Sequence, residues 1–389
     1  MIGPPEPSIP RYGEASLAEV VPSVLAALGV PGFENRLHVE ALPGVCLLVV
    51  DGLGWELLQE HPNDAPFLAE AARSSGRAIT AVFPATTSAS LASLGTGLPP
   101  GQHGLVGYTF AIPGHDRAMN SLQWELYGIG PPLDLRKDLP PEEFQPTPTV
   151  VERAASVGFD ITLVGPIAHA NSGLTRAILR GGRYVGADVL EQMVEVLQAT
   201  LSRDGKTSAY AYHPFLDTFG HLRGVSSDEW REHLLRVDRA AQAIFERLPS
   251  GFGLAVTADH GMVNLGPEDR IDVADAPELM DGVRLLAGEA RARHVHVRTG
   301  ARDEVLAVWR EKLGDRMWVV QKEEAIAAGW FGPNVLERVL PRIGDIVAAA
   351  FAPVGVFQRE VDPLQATLIG HHGSMTPAEQ QVPFLLVRR

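Results

Sequence analysis

Apolar and polar positions alternate in blocks along this chain rather than residue by residue. Continuous apolar runs of strand length occur at VCLLVV (45–50), FDITLVG (159–165), SAYAYH (208–213) and LAVTA (254–258). Uninterrupted runs of this kind suit strands of a parallel sheet covered on both faces, where neither side of the strand meets water. Between them lie SLAEVVPSVLAALG (16–29), TVVERAASVG (149–158), ADVLEQMVEVLQATL (187–201) and SSDEWREHLLRVDRAAQAIFERL (226–248), with apolar residues at three- and four-residue spacing. That spacing predicts helices that bury one face. Strands alternating with helices predict an α/β fold, a doubly wound, mostly parallel sheet with helices on both faces.

Beyond residue 264 the texture changes. Charge becomes denser, and RHVHVRTG, DEVLAVWREKLGD and RMWVVQKEEAIAAG read as strand, helix and strand. The expected organisation is a core of residues 16–264 and 344–389 carrying a small α+β insertion at 265–343. The core is expected to resume at GDIVAAA (344–350) and to close with VPFLLVRR. The proline-rich residues 1–15 read as an arm draped over the surface.

Composition narrows the partners. A formal charge of −14 argues against a nucleic-acid polymer or an anionic membrane as partner, since both demand a basic surface. A small phosphorylated substrate stays open, because a bound metal inverts the charge locally. Cys46 is the single cysteine and sits inside VCLLVV, so it reads as a buried hydrophobe and excludes an intramolecular disulfide. The N-terminus shows no basic patch followed by an apolar core, and no apolar run is long enough to span a bilayer, so the expectation is a soluble, cytoplasmic protein. The oligomeric state is left open.

In open α/β sheets ligands gather beyond the carboxyl ends of the strands. Asp51 follows VCLLVV; PFLDTFGHLRG, after SAYAYH, carries Asp217 and His221; Asp259 and His260 follow LAVTA; LIGHHGSMTP places His371 and His372. Each of these in isolation reads equally as a cap, a turn or a solvated loop. Recurring at every strand exit, carboxylates and imidazoles make the donor set of two divalent metal ions, Zn²⁺ first and Mn²⁺ second. A nucleophile candidate lies in ITAVFPATTSASLASLGTGL, where Thr86, Thr87 and Ser88 open a helix of small residues. One of these hydroxyls is expected to cap the helix. Another would meet an anionic phosphoryl group where the helix N-terminus favours it, activated by a base or a metal.

VVDGLG, FPATTSASLASLGTGLPPGQHG, DTFGHLRG, TADHGMV and GHHGS, in this order, resemble the alkaline phosphatase superfamily, and within it the nucleotide pyrophosphatase/phosphodiesterase branch. The resemblance spans roughly 45–265 and returns near 345–380. It implies an alkaline phosphatase-like fold and a two-metal phosphohydrolase that cleaves small, nucleotide-like phosphodiesters through a phosphothreonine-type intermediate. The run TGLPPGQHG (96–104) fixes the register and makes Thr87, not Thr86, the implied nucleophile. Asp51, Asp259 and His260 would hold one ion, with Thr87 Oγ beside it. Asp217, His221 and His372 would hold the other, with His371 a neighbour and His103 structural. Where this branch carries an Asn that binds a phosphoryl oxygen, this chain has Tyr108. The Cys-x-Pro-x-Arg pattern of related sulfatases is absent.

A phosphomonoesterase or phosphonate hydrolase with the same metals, and a catalytically silent relative, remain as alternatives. No Arg or Lys lies between Phe83 and Ala111, which favours an esterified oxygen over a dianionic phosphate. Arg176, in PIAHANSGLTR (166–176), is a candidate phosphate contact from a distant loop.

Overall fold

The computed structural model describes residues 4–201 and 208–389. Its main sheet has seven strands, in the order Arg77–Thr80, Gln381–Arg388, Gly253–Thr257, Val45–Val50, Ser208–His213, Ile161–Gly165, Arg183–Gly186. Val45–Val50 is buried along its whole length and pairs in parallel with Ser208–His213 on one side and Gly253–Thr257 on the other. Only Gln381–Arg388 runs antiparallel to its neighbours, so the sheet is mostly parallel, as the continuous apolar runs predict. Of the two edge strands, Arg183–Gly186 escaped the sequence reading and Arg77–Thr80 showed only as the β-like start of ITAVFP. They are short and partly exposed, and so lack an apolar run.

Helices cover both faces. Leu17–Ala27 packs against Thr87–Thr96 on one, while Asp228–Arg247 packs against Leu190–Leu201 and Pro66–Ser75 on the other. Leu17–Ala27 starts at a capping box, in which Ser16 Oγ accepts from the N–H of Ala18 and Glu19 Oε2 accepts from the N–H of Ser16 at 2.9 Å. Among the described residues no helix is long and apolar enough to cross a membrane.

A second sheet of four antiparallel strands runs in the order Val283–Glu289, Ala292–Val297, Ile346–Ala350, Met317–Gln321, with Arg302–Leu313 packed on it. Ile346–Ala350 was expected to return the chain to the core; it is instead an inner strand of this second sheet. The cause of the misreading is its burial on both faces. Ile346, Ala348 and Ala350 pack with Val295 and Trp309, whereas Val347 and Ala349 pack into the main core, so the strand shows no alternation. The N-terminal arm also does more than drape. The Tyr12 hydroxyl donates to Trp330 O (2.9 Å) and accepts from the Phe83 N–H (3.1 Å), and Trp318 Nε1 donates to Pro5 O (2.6 Å), so the arm ties the two sheets together.

A buried ion pair fastens the same junction. Arg291 Nε and Nη2 donate to Glu379 Oε1 and Oε2 at 2.8 and 2.7 Å, and Arg291 Nη1 donates to the carbonyls of Ala352 and Val354. Glu379 also accepts from the Ser374 N–H and the Thr376 hydroxyl. Removing one partner strands the other charge out of water. Glu379→Ala is expected to cost about 3–5 kcal/mol in urea unfolding; a loss below about 1 kcal/mol would contradict this role.

Candidate metal centre and active site

Three adjacent parallel strands place their exits at one edge of the main sheet. Val45–Val50 delivers Asp51, and Gly253–Thr257 delivers Asp259 and His260. Ser208–His213 leads into the helix Phe215–Arg223, which carries Asp217 and His221 one turn apart on one face, with Nε2 3.3 Å from Oδ2. His372 comes from the segment 370–373. Gly52 lets these segments meet: its φ is 76°, its N–H donates to Asp259 Oδ1 (3.1 Å), and a Cβ there would lie 3.0 Å from the Cα of Asp217.

Backbone carbonyls orient all three imidazoles. His221 Nδ1 donates to Gly370 O (2.7 Å), His372 Nδ1 to Ala85 O (2.9 Å) and His260 Nδ1 to Gly261 O (3.1 Å). Each ring thereby turns the lone pair of Nε2 toward the carboxylates, the arrangement that metal-ligating histidines need. His260 Nε2 lies 3.4 Å from both Asp51 Oδ1 and Asp259 Oδ2, and the rings of His260 and His372 stack with centroids 3.6 Å apart. The ligand atoms of Asp217, His221 and His372 fall within 4.8 Å of one another, and so do those of Asp51, Asp217 and His260.

The chemistry of this cluster calls for cations. Asp51 Oδ1, Asp217 Oδ1 and Asp259 Oδ2 are buried with no hydrogen-bond partner among the described residues. Burial, reinforced by Asp259 and Asp217, pushes the Asp51 carboxyl well above the usual range, and burial also raises Asp217. Burial together with His260 and His221 holds His372 far below an ordinary imidazole, so it stays neutral and able to ligate. Orphaned carboxylate oxygens facing imidazole nitrogens are what two divalent ions would satisfy.

Thr87 is the first residue of the helix Thr87–Thr96, and its Oγ1 lies 3.2 Å from His260 Nε2. Thr86 occupies the N-cap position, yet its hydroxyl makes no capping bond, and the Ser88 hydroxyl donates to Gly107 O (2.9 Å). The expected side-chain cap is therefore absent at this helix. His103 is structural: Nδ1 accepts from the Leu105 N–H, Nε2 meets Ser93 Oγ at 3.0 Å, and burial lowers its pKa to about 3. His371 stands beside the cluster, its Nε2 bonded to Leu368 O.

Two cavities open on the cluster and share Thr87, Leu122 and Asp217 as a common wall. The larger, about 430 Å³, adds Asp51, His169, Tyr184 and Tyr212; the smaller, about 240 Å³, adds Tyr108, His221, Glu289, Asp362 and His372. No Lys or Arg is among the described residues that line either. Tyr108 thus reaches the site, with its phenol oxygen accepting from Asn120 Nδ2 (2.9 Å). Arg176 does not: its guanidinium is bidentate on Glu142 at 2.8 and 2.9 Å and lines neither cavity.

Two participants went unread in the sequence. Tyr212 donates its hydroxyl to Asp51 Oδ2 from the end of an apolar strand, where a tyrosine reads as core. Glu289, 4% exposed, accepts the Tyr108 N–H at 2.9 Å and is pushed up to about 8 by burial. Gly373, at φ 134°, makes room for it, since a Cβ there would lie 2.6 Å from Glu289 Cγ. In the sequence Glu289 is one acid among many in a charged stretch.

A family model described as type I phosphodiesterase / nucleotide pyrophosphatase matches residues 45–375. The chain belongs to this family. Its fold is similar to that of murine ectonucleotide pyrophosphatase/phosphodiesterase 5, at 20% identity and a TM-score of 0.65 over 88% of this chain and 87% of that one. The human counterpart gives 19% identity and a TM-score of 0.66 over the same shares. An inactive form of the murine protein in complex with AMP gives 19% and 0.65, also over 88% and 87%. No match is found among curated proteins.

For this type I phosphodiesterase family member, metal and stability should be linked. Asp51 holds its proton more tightly in the folded chain than in the unfolded one. In metal-free protein its contribution to stability is full below the ordinary aspartate value, about 3.9, and is lost as the pH rises through the raised value. Zn²⁺ or Mn²⁺ at neutral pH should reverse that loss, adding about 2.7 kcal/mol per site at a hundredfold excess over Kd. Thermal unfolding with chelator and with metal reads this directly; an unmoved midpoint would count against the centre.

Proposed function

We propose that the protein is a two-metal phosphodiesterase that cleaves small, nucleotide-like phosphodiesters through a phosphothreonine at Thr87. The observation that carries this reading is the place of Thr87 Oγ1, 3.2 Å from His260 Nε2, beside orphaned carboxylates and between two cavities. Asp51, Asp259 and His260 would hold one ion next to Thr87, and Asp217, His221 and His372 the other. Zn²⁺ suits this mixed oxygen and nitrogen set best, and Mn²⁺ next. Bound divalent ions supply Lewis acidity, lowering the pKa of a neighbouring hydroxyl and offsetting charge on phosphoryl oxygens.

The protein's own groups do the rest. The N-terminus of the ten-residue helix Thr87–Thr96 favours an anionic phosphoryl group. Thr87 Oγ forms the new bond to phosphorus while the opposite P–O bond breaks, and the alcohol departs toward Asp217, His221 and His372. Water then attacks phosphorus, frees the Thr87 hydroxyl and releases a monoester. Tyr184, Tyr212 and His169 give the larger cavity the flat, partly polar walls that suit the substituent retained on phosphorus, and the AMP complex of the murine relative supports a nucleotide-like group there. The lack of Lys and Arg in both cavities supports diesters over monoester dianions.

Thr87→Ala should lower turnover by roughly 10³ or more with the fold retained. Thr86→Ala, which removes no capping bond, should stay within about 0.5 kcal/mol in stability and keep activity. A dead Thr86 variant beside an active Thr87 variant would move the nucleophile by one residue. With metal-loaded enzyme, kcat/KM for bis(p-nitrophenyl) phosphate should exceed that for p-nitrophenyl phosphate. A tenfold preference for the monoester, about 1.4 kcal/mol, would replace this reading with a phosphomonoesterase.

A further inference from the structure

Away from the metal cluster, three side chains from two loops form a relay of hydrogen bonds. Ser226 Oγ lies 2.8 Å from His61 Nε2, and His61 Nδ1 lies 3.2 Å from Asp64 Oδ2. None of the three lines either cavity of the metal centre. Arg231 donates to both oxygens of Asp64, at 2.8 and 3.3 Å, and holds its carboxyl below the usual range. An ionised Asp64 only accepts, so in the neutral His61 ring Nδ1 carries the proton and Nε2 accepts from the Ser226 hydroxyl. Both ends of the relay are fixed. The His61 ring stands edge-on to the buried Trp230, with centroids 5.2 Å apart, and the His61 carbonyl accepts from the N–H groups of Asp64 and Ala65. Ser226 is exposed and holds a left-handed backbone, φ 67°, that a serine seldom adopts. Asn264 clamps the residue before it, accepting the Val225 N–H (2.9 Å) and donating to Val225 O (3.1 Å). The twenty-residue helix Asp228–Arg247 starts two residues on, and the N–H groups of Asp228 and Glu229 have no hydrogen-bond partner among the described residues.

We propose that Ser226, His61 and Asp64 form a second, metal-independent site, a serine nucleophile that hydrolyses small, activated carboxylic esters. A serine hydroxyl is a weak nucleophile unless a base adjoins it, and here the base is in place and is itself oriented by a third group. A strained backbone at an exposed serine is the arrangement that presents a nucleophile to its substrate. Ser226 Oγ bonds to the carbonyl carbon while its proton passes to His61 Nε2; the ester C–O bond then breaks, and the departing alcohol takes that proton. Water next attacks the acyl-serine and gives a proton to His61. The Ser226 oxygen leaves with that proton, and a carboxylic acid is released. The free N–H groups that open the following helix favour the charge that develops on the carbonyl oxygen. Because Ser226 is exposed, the ester's own reactivity decides selectivity, and esters of acidic alcohols are the class that fits. The site shares no residue with the metal cluster and stands apart from the phosphodiesterase reading.

The test exposes metal-loaded protein to a fluorophosphonate, which phosphonylates activated serines with loss of fluoride, and locates the adduct by peptide mass spectrometry. The adduct should fall on Ser226, and His61→Ala should slow its formation by about a hundredfold. Asp64→Asn, which leaves both Ser226 and His61 in place, should slow it in the same direction, so that a folding defect in one variant does not decide the result. On metal-loaded Thr87→Ala protein, p-nitrophenyl acetate should release p-nitrophenol with a burst near about one equivalent, and adding Ser226→Ala should remove the burst. An absent adduct on Ser226, an adduct confined to Thr87, or labelling of Ser226 at an unchanged rate in both the His61 and Asp64 variants overturns the proposal. The three side chains would then serve only to tie two loops together.

Discussion

Three aspartates, Asp51, Asp217 and Asp259, are buried against one another, each with an oxygen that finds no hydrogen bond among the described residues. Ionised carboxylates buried together are costly, and the cost is offset either by protons, as the raised Asp51 shows, or by cations. The rest of the site follows from this crowding. Gly52 lets the backbones approach, carbonyls of Ala85, Gly261 and Gly370 turn three imidazoles inward, and Tyr212 braces the outer oxygen of Asp51.

The two sheets divide the labour. The parallel sheet places the candidate ligands at its strand exits and contributes walls of the larger cavity. The antiparallel sheet brings Glu289 to the smaller one and clamps the segment after the Thr87 helix: the Thr109 hydroxyl donates to Gly288 O and accepts the Gly288 N–H, both at 2.9 Å. Arg342 holds the same region through Gly104 O and stacks over Phe144. The buried Arg291–Glu379 pair keeps both sheets in register across that boundary. The two cavities are thus lined from both sheets, whereas the clustered aspartates and histidines come from segments flanking the parallel sheet.

The clustering of Asp51, Asp217, His221, Asp259, His260 and His372 was legible in the sequence because each breaks an apolar run or follows one closely, and a polar side chain at a strand exit has few structural reasons to recur. The place of Thr87 beside this cluster was legible because the TGLPPGQHG run fixed its register in the resemblance. The seven-stranded sheet was legible only where strands are buried on both faces; Arg77–Thr80 and Arg183–Gly186, at the edges, carried no such signal. Ile346–Ala350 misled for the opposite reason, since burial between two cores made an inner strand of the second sheet look like a strand of the first. Tyr212 and Glu289 were invisible because their roles depend on which distant segment they meet. Arg176 shows the converse: a plausible loop cation is already paired, with Glu142.

The central claim is that the crowded aspartates exist to hold two ions. Anomalous diffraction from crystals grown with Zn²⁺, collected on both sides of the zinc edge, tests it at the atoms concerned. Two peaks are predicted, one among Asp51, Asp259 and His260 with Thr87 Oγ adjacent, and one among Asp217, His221 and His372. A map with no zinc peak between these side chains, or with zinc bound only elsewhere on the chain, would contradict it.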